Sequence, residues 1–107
     1  MTPEVVFALY RPHAGKDAEL RALIREHLPA LRELGLVTDR PALLVRGQDG
    51  TYIEIFEWRS REAAKQAHDR PAVARLWEAM GRIADFPALG ELQEGGERFP
   101  HFQPVDL

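Results

Sequence analysis

Apolar positions along the chain follow two periods, and the short runs among them predict β-strands. Three runs rich in β-branched and aromatic residues lie at 5–10, 41–46 and 51–58, and a weaker run, "ALGELQ", lies at 88–93. The turn sequence "GQDG" separates the second run from the third, a pattern typical of a β-hairpin. The runs therefore predict four strands, of which the middle two form a hairpin.

Apolar residues spaced three and four positions apart predict two helices between these strands. The first is expected to end at Gly35, a residue suited to a helix C-terminus, while Pro29 is expected to bend it or to end it early. The second is expected to begin after Ser60, a good N-cap. An interruption is predicted at "DRP", because Pro71 suits the first position of a restarted helix.

The predicted order of elements, β-α-β-β-α-β, is the ferredoxin-like arrangement, an α+β fold with a four-stranded antiparallel sheet. Residues 1–107 are expected to form this single domain, with 95–107 as an extended C-terminal tail. The tail carries Phe99, Phe102 and Val105 between prolines. Such an apolar segment is expected to dock on its own chain or to cross to a partner.

Two helices can cover only one face of this sheet, yet its strands are apolar on both faces. In the first strand the side chains that point to one face are Val5, Phe7 and Leu9, and those that point to the other face are Val6, Ala8 and Tyr10, so both faces are apolar. A sheet from another copy of the chain is the simplest cover for the second face. The pattern thus predicts a homodimer that pairs through the open sheet face into a dimeric α/β barrel.

Composition and charge narrow the range of partners. The formal net charge is −3, with Arg and Glu interspersed and no basic face, which argues against a nucleic-acid partner. No apolar segment approaches the roughly 18 residues that a membrane span requires, so no membrane partner is expected. Cysteine is absent, which excludes disulfides and Cys-ligated metals and fits a cytoplasmic location.

Two motifs carry a resemblance to a known family. The helix entry "WRS" at 58–60 and the broken helix "AAKQAHDRPAV" at 63–73 follow a first strand that ends before a Pro/Gly turn. Over roughly residues 4–93 the chain resembles the dimeric α/β-barrel superfamily, in particular its antibiotic-biosynthesis-monooxygenase-like branch. The resemblance implies a barrel of two sheets, with a small-molecule pocket between each sheet and its helices.

Members of that branch include cofactor-independent oxygenases of quinols and polyphenols, and haem-degrading monooxygenases. The haem degraders use an Asn on the first strand and a Trp and a His on the second helix. When the motifs are aligned, these three positions fall near Ala8, Ala67 and Trp77. None of the three matches in type, and the chain contains no Asn. Haem degradation is therefore disfavoured, no cofactor is expected, and no catalytic residue is carried over from the family.

Three titratable residues are candidates for acid–base chemistry: His27, His68 and Glu54. His27 lies on the apolar stripe of the first helix, as a neutral histidine at the core edge or as a pocket acid or base. His68 ends the first segment of the second helix, where it either caps carbonyl groups or reaches the pocket. Glu54, if buried, needs a partner such as Arg46 or a histidine, and at a sheet edge it would instead meet water.

Aromatic residues are the candidates for ligand contact: Trp58, Trp77, Phe56 and Tyr10. Large aromatic side chains are common in cores, and they also line pockets for flat ligands. Tyr10 either places its hydroxyl at a pocket mouth or simply ends its strand. No metal site is expected, because no two of the four histidines have the one-turn helical spacing of a shared ligand face.

Three functions remain open at this point. The leading one is a small-molecule-binding dimeric barrel that acts as a cofactor-independent monooxygenase of an electron-rich aromatic or quinol substrate. The second is a non-catalytic ligand-binding or stress-response module. The third is an isomerase or decyclase on the same scaffold, which would use a base but no oxygen. The sequence does not decide among them, because a fold does not fix a function.

Overall fold

The structure, a computed structural model, describes residues 2–107 and shows them as an α+β fold. The strands and helices are, in chain order, β1 (Glu4–Pro12), α1 (Asp17–Glu33), β2 (Leu43–Arg46), β3 (Tyr52–Trp58), α2 (Arg61–Ala67), α3 (Pro71–Ile83), β4 (Ala84–Asp85) and β5 (Gln103–Pro104). Within the described residues, no helix has the length and apolar character needed to cross a lipid bilayer.

Neighbouring strands of the sheet all run antiparallel, in the order β4-β1-β3-β2-β5. The long central pair is β1 with β3, in register from Glu4 opposite Trp58 to Tyr10 opposite Tyr52. The order β4-β1-β3-β2 is consistent with the predicted ferredoxin-like arrangement. The tail adds β5 to the edge that β2 would otherwise leave free.

The prediction of a fourth strand at "ALGELQ" (88–93) is wrong, and the expected four-stranded sheet has five strands instead. Leu89–Glu91 and Gln93–Gly96 form 3₁₀ turns. Leu89 and Leu92 lie three residues apart, which is the period of a 3₁₀ turn, and the Leu92 amide donates to the Leu89 carbonyl at 3.2 Å. The edge beside β1 is filled by β4, which follows α3 directly.

The first helix ends as predicted, although its proline does not shorten it. Pro29 lies inside α1, which continues to Glu33. Gly35 has a left-handed φ of 72°. The Leu36 amide donates to the Leu31 carbonyl at 3.0 Å, and the Gly35 amide donates to the Arg32 carbonyl at 2.9 Å. These two hydrogen bonds form a Schellman motif, which satisfies carbonyls at the helix end.

The predicted break in the second helix is confirmed. The Ser60 hydroxyl accepts a hydrogen bond of 3.1 Å from the Ala63 amide at the start of α2. Arg70 is extended (φ −93°, ψ 119°), and Pro71 then begins α3. Both helical segments pack against the inner face of the sheet, where Ala67 and Val73 join the core around Phe56.

The second face of the sheet is partly covered by the chain itself. Leu9 and Ile53 pack there with Leu92, and Phe102 of the tail joins them. An uncovered apolar patch remains, the open-face patch, in which Val5, Phe7 and Leu43 are 53%, 49% and 55% exposed.

The tail docks on its own chain at two of the three apolar residues singled out from the sequence. Phe102 packs on the second face of the sheet and Val105 packs against the helix-side core. The Val105 amide also donates to the Leu44 carbonyl at 2.9 Å. Phe99, in contrast, is 84% exposed.

Candidate functional site

A chain of hydrogen bonds joins four side chains from four elements between the sheet and the helices. His27 comes from the buried stripe of α1, Glu54 from β3, Tyr10 from β1 and Trp77 from α3. The indole Nε1 of Trp77 donates to Nε2 of His27 at 2.8 Å. Nδ1 of His27 lies 2.8 Å from Oε1 of Glu54, and the Tyr10 hydroxyl donates to the same oxygen at 2.8 Å.

The direction of each bond follows from the chemistry of the donors. An indole N–H can only donate, so Nε2 of His27 must accept and carries no proton in this arrangement. The proton of the neutral imidazole is therefore on Nδ1, which donates to Glu54. Tyr10 lies 3.5 Å from Nδ1 of His27, but both groups donate to Glu54 and this contact is not a hydrogen bond. His27 is thus neutral and has both nitrogens engaged.

Glu54 is buried, which decides one of the alternatives left open by the sequence. Its residue exposure is 3%, and its partners are His27 and Tyr10. Arg46, the other expected partner, instead approaches Asp17 with an N–O distance of 3.4 Å. Burial, and secondarily the Glu54 carboxylate, raise the pKa of the Tyr10 hydroxyl well above its ordinary value. Tyr10 therefore remains a hydrogen-bond donor at neutral pH.

An open cleft of about 480 Å³ lies against this network and is called the aromatic cleft. Its walls include Tyr10, Phe56, Trp58, Trp77, Phe86 and the two histidines His27 and His68. All the ligand-contact residues predicted from the sequence are among these. Glu54 lies behind Tyr10 and His27 and does not line the cleft. A larger depression of about 590 Å³ near the β2–β3 turn contains none of the predicted site residues.

His68 differs from His27 in having a free ring. Its backbone ends α2, as predicted, but its side chain lines the aromatic cleft and meets the Trp77 ring edge-on, with a centroid distance of 4.9 Å. Among residues 2–107, no side chain or backbone group forms a hydrogen bond with the His68 imidazole. Of the two histidines in the cleft, His68 is therefore the one whose nitrogens are open to a bound molecule.

The sequence did not indicate Phe86, which lies after α3 and closes one side of the cleft. Its ring is 56% exposed and meets the Tyr10 ring edge-on, with a centroid distance of 5.9 Å. An aromatic residue directly before Pro87 at the end of a helix was the available signal. Among the described residues, no group of three or more His, Asp or Glu side chains is placed to hold a metal ion.

The sheet order, together with a pocket between sheet and helices, defines a ferredoxin-like α+β protein of the kind that the resemblance implied. The fold is similar to that of Rv0793 from Mycobacterium tuberculosis, with a TM-score of 0.65 and 23% identity over 80% of this chain and 87% of that one. It is also similar to SnoaB, a cofactor-independent oxygenase from Streptomyces nogalater, with a TM-score of 0.60 and 18% identity over 80% of this chain and 88% of that one.

At these identities the likeness is one of fold alone, and it agrees with the ferredoxin-like fold that the resemblance implied. No protein-family model and no curated protein matches the sequence.

Proposed function

We propose that the aromatic cleft binds a flat, electron-rich aromatic or quinol molecule, and that the protein is a monooxygenase which acts on it without a bound cofactor. The observation that carries this proposal is the free imidazole of His68 on a cleft with aromatic walls that lies against a hydrogen-bonded network. Aromatic walls suit a flat ligand. SnoaB, which has the same fold, is a cofactor-independent oxygenase.

The chemistry requires a base, oxygen and apolar surroundings for the substrate anion. For a substrate with an activated CH₂ group, the base removes one proton and the carbanion passes one electron to O₂. Recombination of the two radicals forms a C–O bond and a peroxide anion, which takes the proton back from the base. The resulting hydroperoxide then loses water to leave a carbonyl. The overall change is R₂CH₂ + O₂ → R₂C=O + H₂O, so the substrate supplies all the electrons. The apolar walls of the cleft stabilise the anion less than water does, which leaves it reactive toward O₂.

Three residues were candidates for the base, and their surroundings favour different roles. His68 has a free imidazole on the cleft and is assigned as the base. His27 and Glu54 bond to each other and to Trp77 and Tyr10, which suits them to hold the cleft walls in place. Trp58, Trp77, Phe56 and Tyr10 are assigned to contact with the ligand.

The test is oxygen consumption with a panel of quinols and polyphenols. His68→Ala is expected to lower kcat by about 10²-fold, the usual contribution of a positioned base. His101→Ala, an exposed histidine outside the aromatic cleft, is the matched control and should leave kcat unchanged. Turnover that is indifferent to His68→Ala would contradict the assigned base, and indifference to His27→Ala and Glu54→Gln as well would exclude all three candidates.

Two other functions have distinct outcomes in the same assay. A ligand-binding module would bind the panel, seen as quenching of the two tryptophans, without consuming oxygen. It is favoured by the fact that both nitrogens of His27 and the hydroxyl of Tyr10 are committed to internal hydrogen bonds. An isomerase or decyclase would turn over its substrate under anaerobic conditions.

The homodimer predicted from the sequence belongs to the same proposal. Its support is the open-face patch of Val5, Phe7 and Leu43, which the chain leaves about half exposed. Sedimentation at micromolar concentration should show a two-chain species. Phe7→Glu should shift it to single chains, because a carboxylate in an apolar interface is unpaired. A single-chain species for the unmodified protein would contradict the dimer without affecting the assignment of the cleft.

A further inference from the structure

A second cleft, of about 310 Å³, opens on the other side of the buried network. It lies between α1, the beginning of β2 and the end of the tail, and it is called the tail cleft. Its walls are mainly aliphatic, with Ile24, Leu28, Leu44 and Val105 among them. Glu54 also lines it, and it shares no lining residue with the aromatic cleft.

Glu54 presents an oxygen without a partner to this cleft. Both hydrogen bonds that Glu54 accepts, from Tyr10 and His27, are made to Oε1. Among residues 2–107, Oε2 accepts none, and yet every fully enclosed side-chain oxygen or nitrogen has a partner. Oε2 must therefore reach open space, and the space that Glu54 borders is the tail cleft.

The charge on Glu54 has no counter-ion within the network. His27 is neutral because Nε2 accepts from Trp77, and Tyr10 is a neutral phenol. No Lys or Arg nitrogen lies within 4.0 Å of this carboxylate among the described residues. A buried carboxylate without a positive partner is costly, so a cation at Oε2 would stabilise it.

A second acceptor comes from the helix. Pro29 has no N–H, so the carbonyl of Arg25, four residues earlier in α1, lacks its helical partner. Arg25 and Pro29 both line the tail cleft. The proline thus leaves the Arg25 carbonyl without its helical partner, and both Arg25 and Pro29 belong to the wall of the cleft that Glu54 borders.

We propose that the tail cleft is a binding site for a small organic cation, a primary ammonium on an aliphatic group. Its N–H groups donate to Oε2 of Glu54 and to the carbonyl of Arg25, since an ammonium has three donors and no acceptor. Its aliphatic part lies against Ile24, Leu44 and Val105. Asp106 also lines the cleft and adds negative charge, while the exposed Arg25 guanidinium opposes it. This site is separate from the aromatic cleft and does not depend on the proposed oxygenase activity.

The probe is cyclohexylmethylammonium, titrated into the protein while the His27 Nδ1 proton and the backbone amides of Leu44 and Val105 are followed by NMR. The His27 proton reports the site, because it bonds to the carboxylate that the ammonium would contact. Saturable shifts at these groups with Kd near 1 mM are expected, about the affinity of a small fragment. The neutral isostere cyclohexylmethanol should bind at least about tenfold more weakly.

Three variants separate the site from adventitious binding. Glu54→Gln should raise Kd at least about tenfold, by loss of a charged hydrogen bond. Ala42→Trp, a change at an exposed residue on the cleft wall, should have the same effect by filling the space. Pro29→Ala should raise Kd several-fold, because residue 29 then supplies the N–H that the Arg25 carbonyl lacks. Ala74→Trp, at an exposed position on α3 outside the cleft, is the matched control and should leave Kd unchanged.

Several results would overturn the proposal. They are the absence of saturable shifts in the unmodified protein, equal affinity for the alcohol and the ammonium, or an unchanged Kd in Glu54→Gln, Ala42→Trp or Pro29→Ala. If Glu54→Gln does not fold, Ala42→Trp and Pro29→Ala still decide. Oxygen consumption plays no part in this test, so the site and the oxygenase assignment can fail separately.

Discussion

The indole Nε1 of Trp77 donates a hydrogen bond of 2.8 Å to Nε2 of His27. Because an indole only donates, this contact places the imidazole proton on Nδ1 and directs it to Glu54. Because both ring nitrogens of His27 are hydrogen-bonded within the network, His27 is not available to exchange a proton with a ligand. His68 is the histidine of the aromatic cleft whose ring nitrogens are available.

Trp77→Phe should destabilise the protein more than Trp58→Phe. Both changes remove a similar volume from the cleft wall, but only Trp77 donates a hydrogen bond to His27. Losing that donor leaves a buried acceptor unsatisfied, at a cost of about 1–3 kcal/mol. The free energies of unfolding from urea titrations at pH 7 provide the measurement. Equal losses in the two variants would contradict the assigned role of the indole.

Glu54→Leu should destabilise the protein far more than Glu54→Gln. A glutamine carbonyl can accept the two hydrogen bonds from Tyr10 and His27 that Oε1 now accepts. Leucine accepts neither and leaves two buried donors unpaired, which costs about 1–3 kcal/mol for each group. Urea unfolding of both variants tests this difference. Leucine as stable as glutamine would show that the network contributes little to folding.

Ionisation of the buried Tyr10 hydroxyl should lower the stability of the protein at alkaline pH. Burial and Glu54 raise the pKa of its hydroxyl well above that of an unfolded tyrosine, which ionises near pH 10. The stability that this difference provides is complete below about pH 10 and is lost as the pH rises toward the folded pKa. In that range Tyr10→Phe should reduce the loss by up to about 1.4 kcal/mol per pH unit.

The comparison variant for that experiment is Tyr52→Phe. The pKa of Tyr52 is also raised, by burial and by its hydrogen bond to Asp17, but Arg21 and Arg46 oppose the rise. Its removal should therefore change the alkaline slope less than the removal of Tyr10. The slope is measured from urea unfolding at several pH values above 9, and the reverse order would contradict the assignment.

The neighbouring glycines Gly95 and Gly96 should respond in opposite ways to alanine. A Cβ at Gly95 would lie 2.5 Å from the Leu89 carbonyl oxygen, a backbone atom that cannot easily move away. Gly95→Ala should therefore cost about 1–3 kcal/mol. Gly96 has nothing within 4 Å of that position and no left-handed φ, so alanine there should be neutral or stabilising by up to about 1 kcal/mol. Thermal unfolding of the two variants is the check.

The incorrect prediction of a fourth strand at 88–93 shows that the local sequence pattern does not always distinguish a strand from a turn. "ALGELQ" contains apolar residues that fit either a short strand or a 3₁₀ turn. Leu92 is buried against Leu9 and Ile53 on the second face of the sheet, and this packing selects the turn. The strand that pairs with the edge of β1 is Ala84–Asp85, which directly follows the last residue of α3.

The candidate site was predicted residue by residue but not as a network. His27, Glu54, Tyr10 and Trp77 were each selected for their type and face. The hydrogen-bonded residues are far apart in the chain: 27 positions for His27–Glu54, 44 for Tyr10–Glu54 and 50 for His27–Trp77. No local periodicity encodes contacts over such separations.

The sequence by itself determined the first three strands and the helices that follow them, the cap at Gly35, the break before Pro71 and the apolar character of both sheet faces. These features arise from backbone preferences and short-range spacing, which a chain carries wherever it folds. Only the tertiary structure decided which histidine is free, where the proton of His27 lies and that Glu54 borders a second cleft. Those properties depend on donors and acceptors from separate elements meeting within hydrogen-bond distance, and packing alone sets that geometry.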